Sequence, residues 1–516
     1  MKLFKYAASL AALAMLGACS SEDPEMPVTS ENYDGPTSLI SIKIDQSGIT
    51  RATDPNEIAE MGESNIKDVQ LIITDLAGTN EYVNDIAEFK TTDSDIDGSV
   101  AYFEVPSVNF EMMKSRQELG QKFLIYAYVN GKANKAAKLD LTTLTTGSIP
   151  SDRKFAEKDQ FLMSNAQKYE VKLHAPGTAT GKDKASAWMI TGSAEGEAST
   201  IEVARIAARF DYKPKKDGQT VNEEYTALSD DDIKITIDGM SVNTLASTAF
   251  ILPQWNSDGK PTTTYHAFQK DEKEYAVTTD VTVTSLATYD GHIYDLTSAK
   301  AYVYGRPNSF HSDQDGVYTK AAYVAIKAHF TSTKYAEAMA AKQDIYALGG
   351  VVLGTFEDIK SYQKDGKGAY NPTIPDDLTA DQKTVIETVK NKVNEYLDIA
   401  NFTVTETNTE ANIKKKLNDV LSPLVYKAAA DGNYYTYYAK RIVDNPDATN
   451  DAKKYVIYRN HVYSISVASI SFLGLTGDEY KPGDKEIVSS GEKLLIDVTM
   501  EVSKWVTNNK NENLKL

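Results

Sequence analysis

The sequence is poor in several things that would simplify its reading. One cysteine in 516 residues leaves no pair for a disulfide, so stability has to come from packing and hydrogen bonding. Basic charge is short: 73 Asp and Glu stand against 55 Lys and Arg, a net charge of -18. A field of that sign repels phosphate backbones and anionic headgroups, which excludes nucleic acid as a partner. Tryptophan is scarce, at 3 against 31 tyrosines. Beyond Leu16 no apolar run approaches the roughly 20 residues that a membrane-spanning helix needs. The six histidines (His174, His266, His292, His311, His329 and His461) are scattered, with no zinc spacing, no second cysteine and no glycine-rich phosphate loop. "HSDQDG" (311–316) lacks the spacing and flanks of a helix–loop–helix calcium site and reads as a solvated turn. No catalytic residues, no metal and no cofactor are expected, and the chain is not read as an enzyme.

What is present begins at the N-terminus. Lys2 and Lys5 precede an Ala/Leu-rich stretch, 6–16, and then "LGAC" (16–19), which holds the single cysteine. The stretch is too short for a stable anchor, and its charged start and small-residue end are those of a secretion signal. Leu-Gly-Ala-Cys resembles the lipobox of bacterial lipoproteins. That resemblance makes 1–18 a signal peptide and Cys19 the attachment point of a diacylglycerol and acyl lipid on the precursor. Ser21, Glu22 and Asp23 resemble the acidic tag that passes some lipoproteins to the outer surface.

The rest reads as β. "IKDVQLIITD" (66–75), "SVAYFEV" (99–105), "KFLIYAYVN" (122–130), "DIKITIDG" (232–239), "AAYVAIKAHF" (321–330) and "HVYSISVASI" (461–470) are rich in β-branched and aromatic residues, several with period-two alternation. Asp-Gly pairs at 97/98, 217/218, 238/239, 290/291, 315/316 and 431/432 read as turns. Short strands with frequent turns predict antiparallel sandwiches, and the length predicts more than one domain. Three segments predict helical insertions: 332–347, 378–400 with a Thr379/Gln382 capping box and Val385, Val389, Val393 and Leu397 on one face, and 411–429, cut by Pro423.

The ends carry the most information. "SLISIKID" (38–45) places Ile40, Ile42 and Ile44 on one face of a half-buried strand. After it, "QSGITRATDPNE" (46–57) reads as an exposed polar loop holding Arg51, the first arginine of the chain, a good protease site. At the other end Leu494, Ile496, Val498, Met500 and Val502 alternate as a sandwich strand, and the alternation then thins to Val506, Leu514 and Leu516 among polar residues.

Together these features resemble the fimbrillin family of type V pili, close to the major subunit of its shorter-fimbria branch. "FLMSN" (161–165) is similar to a Phe-x-Met-Ser step. "EVARIAARFDY" (202–212) is similar to an Arg-x-x-Ala-Arg strand through Arg205, Ala208 and Arg209. Arg459, Asn460, His461 and Tyr463 are similar to an Arg-Asn-His-x-Tyr strand, and "VTMEVSKW" (498–505) to a Val-x-Val-x-x-Trp ending. The last dozen residues depart from the pattern in being more polar.

The resemblance implies an all-β fold with helical insertions, as two transthyretin-like β-sandwich domains in tandem: signal 1–18, propeptide 19–51, N-terminal domain 52–213, C-terminal domain 214–502 and donor strand 503–516. It implies an outer-membrane lipoprotein precursor cut between Arg51 and Ala52 by an arginine-specific protease, so that lipid and removable strand leave together. An exposed sheet edge accepts a strand, and the neighbour's tail, reaching about 45 Å at about 3.3 Å per residue, would fill it. Donor and groove at opposite ends make a head-to-tail contact that does not close, hence a filament. The implied product is the shaft of a fimbria for adhesion and biofilm formation, whose partners are copies of itself and accessory tip and anchor pilins. The alternative is a cell-surface glycan-binding lipoprotein, which would share the lipobox and sandwiches but need no cut at Arg51.

Overall fold

A computed structural model of the chain describes residues 26–28, 33–45, 56–58, 65–88, 100–133, 138–146, 148–149, 155–156, 160–165, 169–174, 187–191, 200–213, 223–243, 249–252, 294–295, 302–307, 322–364, 369–400, 409–443, 457–477 and 495–506. The architecture is mostly β, in several sheets with a few helices. The chain divides into two compact units, one made of 1–45, 68–127 and 168–201, the other of 46–67, 128–167 and 202–516.

In the first unit, strands numbered along the chain follow the path β4 (Glu81–Glu88), β3 (Asp68–Asp75), β6 (Phe123–Val129), β9 (Tyr169–His174), β10 (Trp188–Thr191), β1 (Thr37–Asp45), β5 (Val100–Pro106). β3 and β6 are buried almost throughout; β6 reads as a continuous apolar run, whereas β3 also buries Asp68, Gln70 and Thr74. Helix α1 (Ser107–Glu118) follows β5 directly and buries Phe110 and Met113, one turn apart. The Gln117 side chain ties it to β9, accepting from the Leu173 N–H at 2.6 Å and donating to the Leu173 carbonyl at 2.7 Å.

The second unit contains a β-sandwich. One sheet runs β17 (Tyr302–Gly305), β12 (Ala208–Tyr212), β23 (His461–Ile470), β24 (Ile496–Val506), β2 (Asn56–Ile58). The other runs β13 (Glu224–Ala227), β14 (Asp230–Asn243), β18 (Tyr323–Ser332), β22 (Tyr434–Arg441), with β16 (Tyr294–Asp295) also on β14. Phe210, Ile465, Val467 and Ile496 from the first meet Ile235, Ile326, Phe330 and Tyr438 from the second in one core. β8 (Met163–Asn165) pairs with β11 (Thr200–Arg205), and β7 (Ser148–Ile149), after α2 (Leu141–Thr146), with β15 (Ala249–Phe250).

A second core lies between the small sheet β20 (Val351–Gly354), β19 (Ile345–Leu348), β21 (Leu424–Tyr426) and helices α4 (Phe356–Lys364), α5 (Ala380–Ala400) and α6 (Glu410–Leu421). The expected capping box starts α5: the Thr379 N–H donates to Gln382 Oε1 at 2.9 Å and the Gln382 N–H to Thr379 Oγ1 at 3.3 Å. Val389 and Val393 are buried on it, and α6 stops at Ser422, in the left-handed region just before Pro423.

Several expectations change. Of 332–347 only Ala336–Ala340 is helical (α3), because 345–348 is recruited as β19 between two strands. The 411–429 segment is helical only to Leu421, and 424–426 is β21. "EVARIAARFDY" is two strands, parted at Ile206 and Ala207. Residues 56 and 57, read as loop, lie in β2. Asp431-Gly432 is a turn, with Gly432 at φ 89° and its N–H on the Ala429 carbonyl at 2.9 Å. Asp238-Gly239 is instead a bulge inside β14, where the register to β18 jumps between Ile237 and Gly239. The other four Asp-Gly pairs and "HSDQDG" lie outside the described residues.

The bulge turns the Asp238 carboxylate onto His329, whose Nδ1 is 2.8 and 2.9 Å from the two oxygens. That hydrogen bond, opposed by burial and aided by the charges of Asp238, Asp431 and Glu224, holds the His329 pKa above its ordinary value. Neighbouring Tyr435 is pushed up to about 12 by burial and by its bond to Asp431. A raised histidine contributes stability fully below the unfolded value of about 6.5, and the contribution fades as pH rises through the higher folded value. Urea titrations across pH should therefore show stability falling above pH about 6.5, and Asp238→Asn should flatten that fall.

Candidate assembly site

Alternation of β-branched residues makes 37–45 a strand, and the unit around it makes it a buried one. Ile40, Ile42 and Ile44 are 0%, 2% and 1% exposed. β1 runs antiparallel to β5 from Thr37 opposite Pro106 to Lys43 opposite Val100, and parallel to β10, with Ile40 opposite Trp188. Phe103 and Trp188 thus flank Ile40 in the sheet, and Trp188 packs edge-on against Phe110 of α1 at 5.2 Å.

The leader before β1 is tied to the same unit. The Asn109 amide accepts from the Val28 N–H at 2.8 Å and donates to the Val28 and Tyr82 carbonyls at 2.7 and 2.9 Å. The Ser107 N–H donates to the Pro36 carbonyl at 2.9 Å, and Ser38 and Ser107 hydroxyls are 3.1 Å apart. Burying an isoleucine contributes about 1.5–3 kcal/mol, so the three together contribute roughly 5–9, comparable with the whole stability of a small domain. Whatever leaves with β1 has to be replaced.

At the other end, β24 is antiparallel to β23 from Ile496 opposite Ile470 to Lys504 opposite His461, and parallel to β2 over Lys504 to Val506. Ile496 and Val498 are buried, while Asp497, Thr499 and Glu501 are exposed, the expected alternation. The strand continues past Val502 to Val506 because β2 and β23 offer edges there, so residues 503–506 are held within their own chain.

Residues of three motifs meet in one buried polar cluster of the second unit. Arg459 donates from Nη1 to Ser164 Oγ (3.1 Å) and the Ile251 carbonyl (3.0 Å), and from Nη2 to the Phe250 carbonyl (2.7 Å). Arg205 Nη1 donates to Asn460 Oδ1 at 3.0 Å, and the Asn460 N–H donates to the Ala207 carbonyl at 2.7 Å. That last bond occupies the point where β11 and β12 part. Asn460 holds φ 56°, a conformation asparagine tolerates better than most residues. Arg209 pairs with Asp211 through two bonds of 2.8 and 2.7 Å. Arg205, Arg209 and Arg459 are at most 4% exposed, so these groups are structural and out of a ligand's reach.

Of the residues singled out from sequence, Ile40, Ile42 and Ile44 come together on β1, and Val506 ends β24 opposite Ile58. Cys19, Arg51, Ala52, Leu514 and Leu516 lie outside the described residues. Sequence reasoning missed β2, whose three residues carry no periodicity, and Asn109, whose partners are distant in the chain. Among the described residues no group of three His, Cys, Asp or Glu side chains is placed to hold a metal, and no helix is long and apolar enough to cross a membrane.

Residues 426–511 match the family model described as major fimbrial subunit protein type IV, fimbrillin, C-terminal. No curated protein sequence matches the chain. Among solved structures, a fimbrilin from Porphyromonas gingivalis W83 is similar at 13% identity and a TM-score of 0.37, covering 92% of this chain and 99% of its own. A protein described as a candidate cell adhesion protein from Parabacteroides distasonis ATCC 8503 is similar at 11% identity and a TM-score of 0.42, covering 91% and 100%. The tip fimbrial protein Mfa3 from Porphyromonas gingivalis, with a C-terminal truncation, is similar at 9% identity and a TM-score of 0.35, covering 91% and 100%. All three lie below a TM-score of 0.5.

Two substitutions check the energetics. Ile42→Ala should cost the uncut chain about 2–4 kcal/mol in denaturant unfolding, the usual loss for a truncated buried isoleucine. Arg459→Met should cost about 3–5 kcal/mol, since it strands the buried polar groups that the guanidinium satisfies.

Proposed function

We propose, from the match of residues 426–511 to the C-terminal fimbrillin family model, that the chain is a fimbrillin and the polymerising structural subunit of a surface fimbria rather than an enzyme. One observation carries the reading: β1 is a fully integrated strand with a buried isoleucine face, yet it lies upstream of Arg51. In this reading the precursor is exported by 1–18 and held at the outer membrane through lipid on Cys19. An arginine-specific protease cuts between Arg51 and Ala52, and 19–51 departs with β1. The mature subunit, with domains at 52–213 and 214–502, then presents unpaired backbone groups along β5 and β10 and the pockets of Ile40, Ile42 and Ile44.

The C-terminal segment of a second copy enters that place by strand addition. Because residues 503–506 belong to β24 in the uncut chain, the part of the proposed donor 503–516 assigned wholly to the neighbouring subunit is 507–516, with Leu514 and Leu516 on the same sequence parity as Val506. Repetition head-to-tail yields a shaft, to which tip and anchor pilins add and which serves adhesion and biofilm formation. No cofactor besides the precursor's lipid takes part.

The test is a chain lacking 507–516. It should be secreted, cut to Ala52 and folded, but monomeric, while the intact chain gives multimers that resist SDS until heated. Aspartate at Leu514 and Leu516 should reduce assembly at least tenfold, and at Asn511 and Asn513 far less. Filaments from the truncated chain overturn donation by the tail. Surface material that retains lipidated Cys19 throughout points instead to a membrane-held glycan-binding lipoprotein.

A further inference from the structure

β2 is the outermost strand of its sheet, and its partner among the described residues is β24. Asn56, Glu57 and Ile58 stand opposite Lys504, Trp505 and Val506. β23 accompanies the other edge of β24 only as far as Lys504, opposite His461. Among the described residues, then, Trp505 and Val506 are paired in register with β2 alone. The segment that the preceding section assigns to the neighbouring subunit starts at the next residue.

We propose that β2 is a latch that holds the end of β24 on its own sheet while the chain is intact and releases it once the chain is cut between β1 and β2. The inference rests on the cut after Arg51 proposed above, and concerns the regulation of that site. A three-residue parallel strand has too few ladder bonds to hold by itself. In the uncut chain it is tethered covalently on both sides, to β1, ending at Asp45, and to β3, starting at Asp68, and is not next to a chain terminus.

A cut after Arg51 removes the first tether and leaves only residues 52–55 ahead of β2. Chain termini are where pairing frays first. One peptide-bond cleavage therefore acts at both ends of the chain: it vacates the place of β1 and loosens the strand that leads into the donor. An uncut precursor has neither, which keeps subunits from joining before they reach the surface.

The experiment uses the full chain with a recognition site for a site-specific protease inserted between residues 46 and 55. Amide hydrogen exchange is followed by mass spectrometry in the monomer, before and after cutting. Exchange at 504–506 should rise at least fivefold on cutting, while 461–470 stays protected as the control for folding. In uncut chains, Glu57→Pro and the double change Asn56→Pro with Ile58→Pro remove N–H groups that point to opposite sides of β2. One of the two should reproduce the faster exchange without any cut, and the other should not.

Unchanged exchange at 504–506 after cutting and in both proline variants overturns the latch. The readout needs neither the natural protease nor polymerisation. A latch that opens in a chain that never forms filaments supports this inference and sinks the assembly reading, and filaments from a chain with no change in exchange do the reverse.

Discussion

The contact on which the first unit depends is the seating of three isoleucines of β1 between β5 and β10. Their burial is worth roughly as much as a small domain's net stability, and it is supplied by a segment joined to the rest only through the stretch that contains Arg51. Asn109 and Ser107 extend the dependence to the leader, since Val28 and Pro36 satisfy polar groups of α1. The unit is thus complete only while that place is filled, by its own strand or by another of the same pattern. Under the proposed strand exchange, affinity of one subunit for the next would draw on the same term that folds the domain.

The second unit solves a different problem. With a single cysteine and so no internal disulfide, it is cross-linked by hydrogen bonds through buried arginines: Arg459 joins three segments and Arg205 reaches Asn460, while Arg209 pairs within its own strand. Such groups are costly to desolvate, and the arrangement holds because the carbonyls, the Ser164 hydroxyl and the Asn460 amide receive their protons. Residues of three of the motifs that resemble those of pilins, Ser164, Arg205, Arg459 and Asn460 among them, serve this framework, while the fourth, 498–505, is part of β24.

Legibility from sequence followed locality. The second half of β18 and the first half of β24 announce themselves because one face is more buried than the other, and β1 and β23 by their β-branched and aromatic residues, although β23 is buried on both faces. The Thr379/Gln382 box is equally plain, being an exchange between residues three apart. What stayed hidden depends on partners far along the chain. Ile206 and Ala207 continue the apolar character of their neighbours, and β11 and β12 part there because the Ile206 N–H goes to the Leu162 carbonyl and the Ala207 carbonyl takes the Asn460 N–H from the turn before β23. Asp238-Gly239 has the composition of a hairpin turn, and the long pairing of β14 with β18 converts it to a bulge. β2 is three residues of ordinary composition whose partner lies at the far end of the sequence. The candidate site was half legible for the same reason: Ile40, Ile42 and Ile44 declare a strand, whereas nothing in residues 56–58 declares what they hold.

The buried cluster also sets the order of events in time. Arg459 reaches Ser164 and Ile251 across separations of 295 and 208 residues, and Arg205 reaches Asn460 across 255. Contacts that distant close slowly and late, after their loop entropy has been overcome. The sandwich of the second unit cannot lock while the chain is still emerging from the ribosome, because the arginine that closes it is among the last sixth of the residues to arrive. Under the proposed export, the placement of these latest-made contacts would keep the chain from locking before it has crossed the membrane.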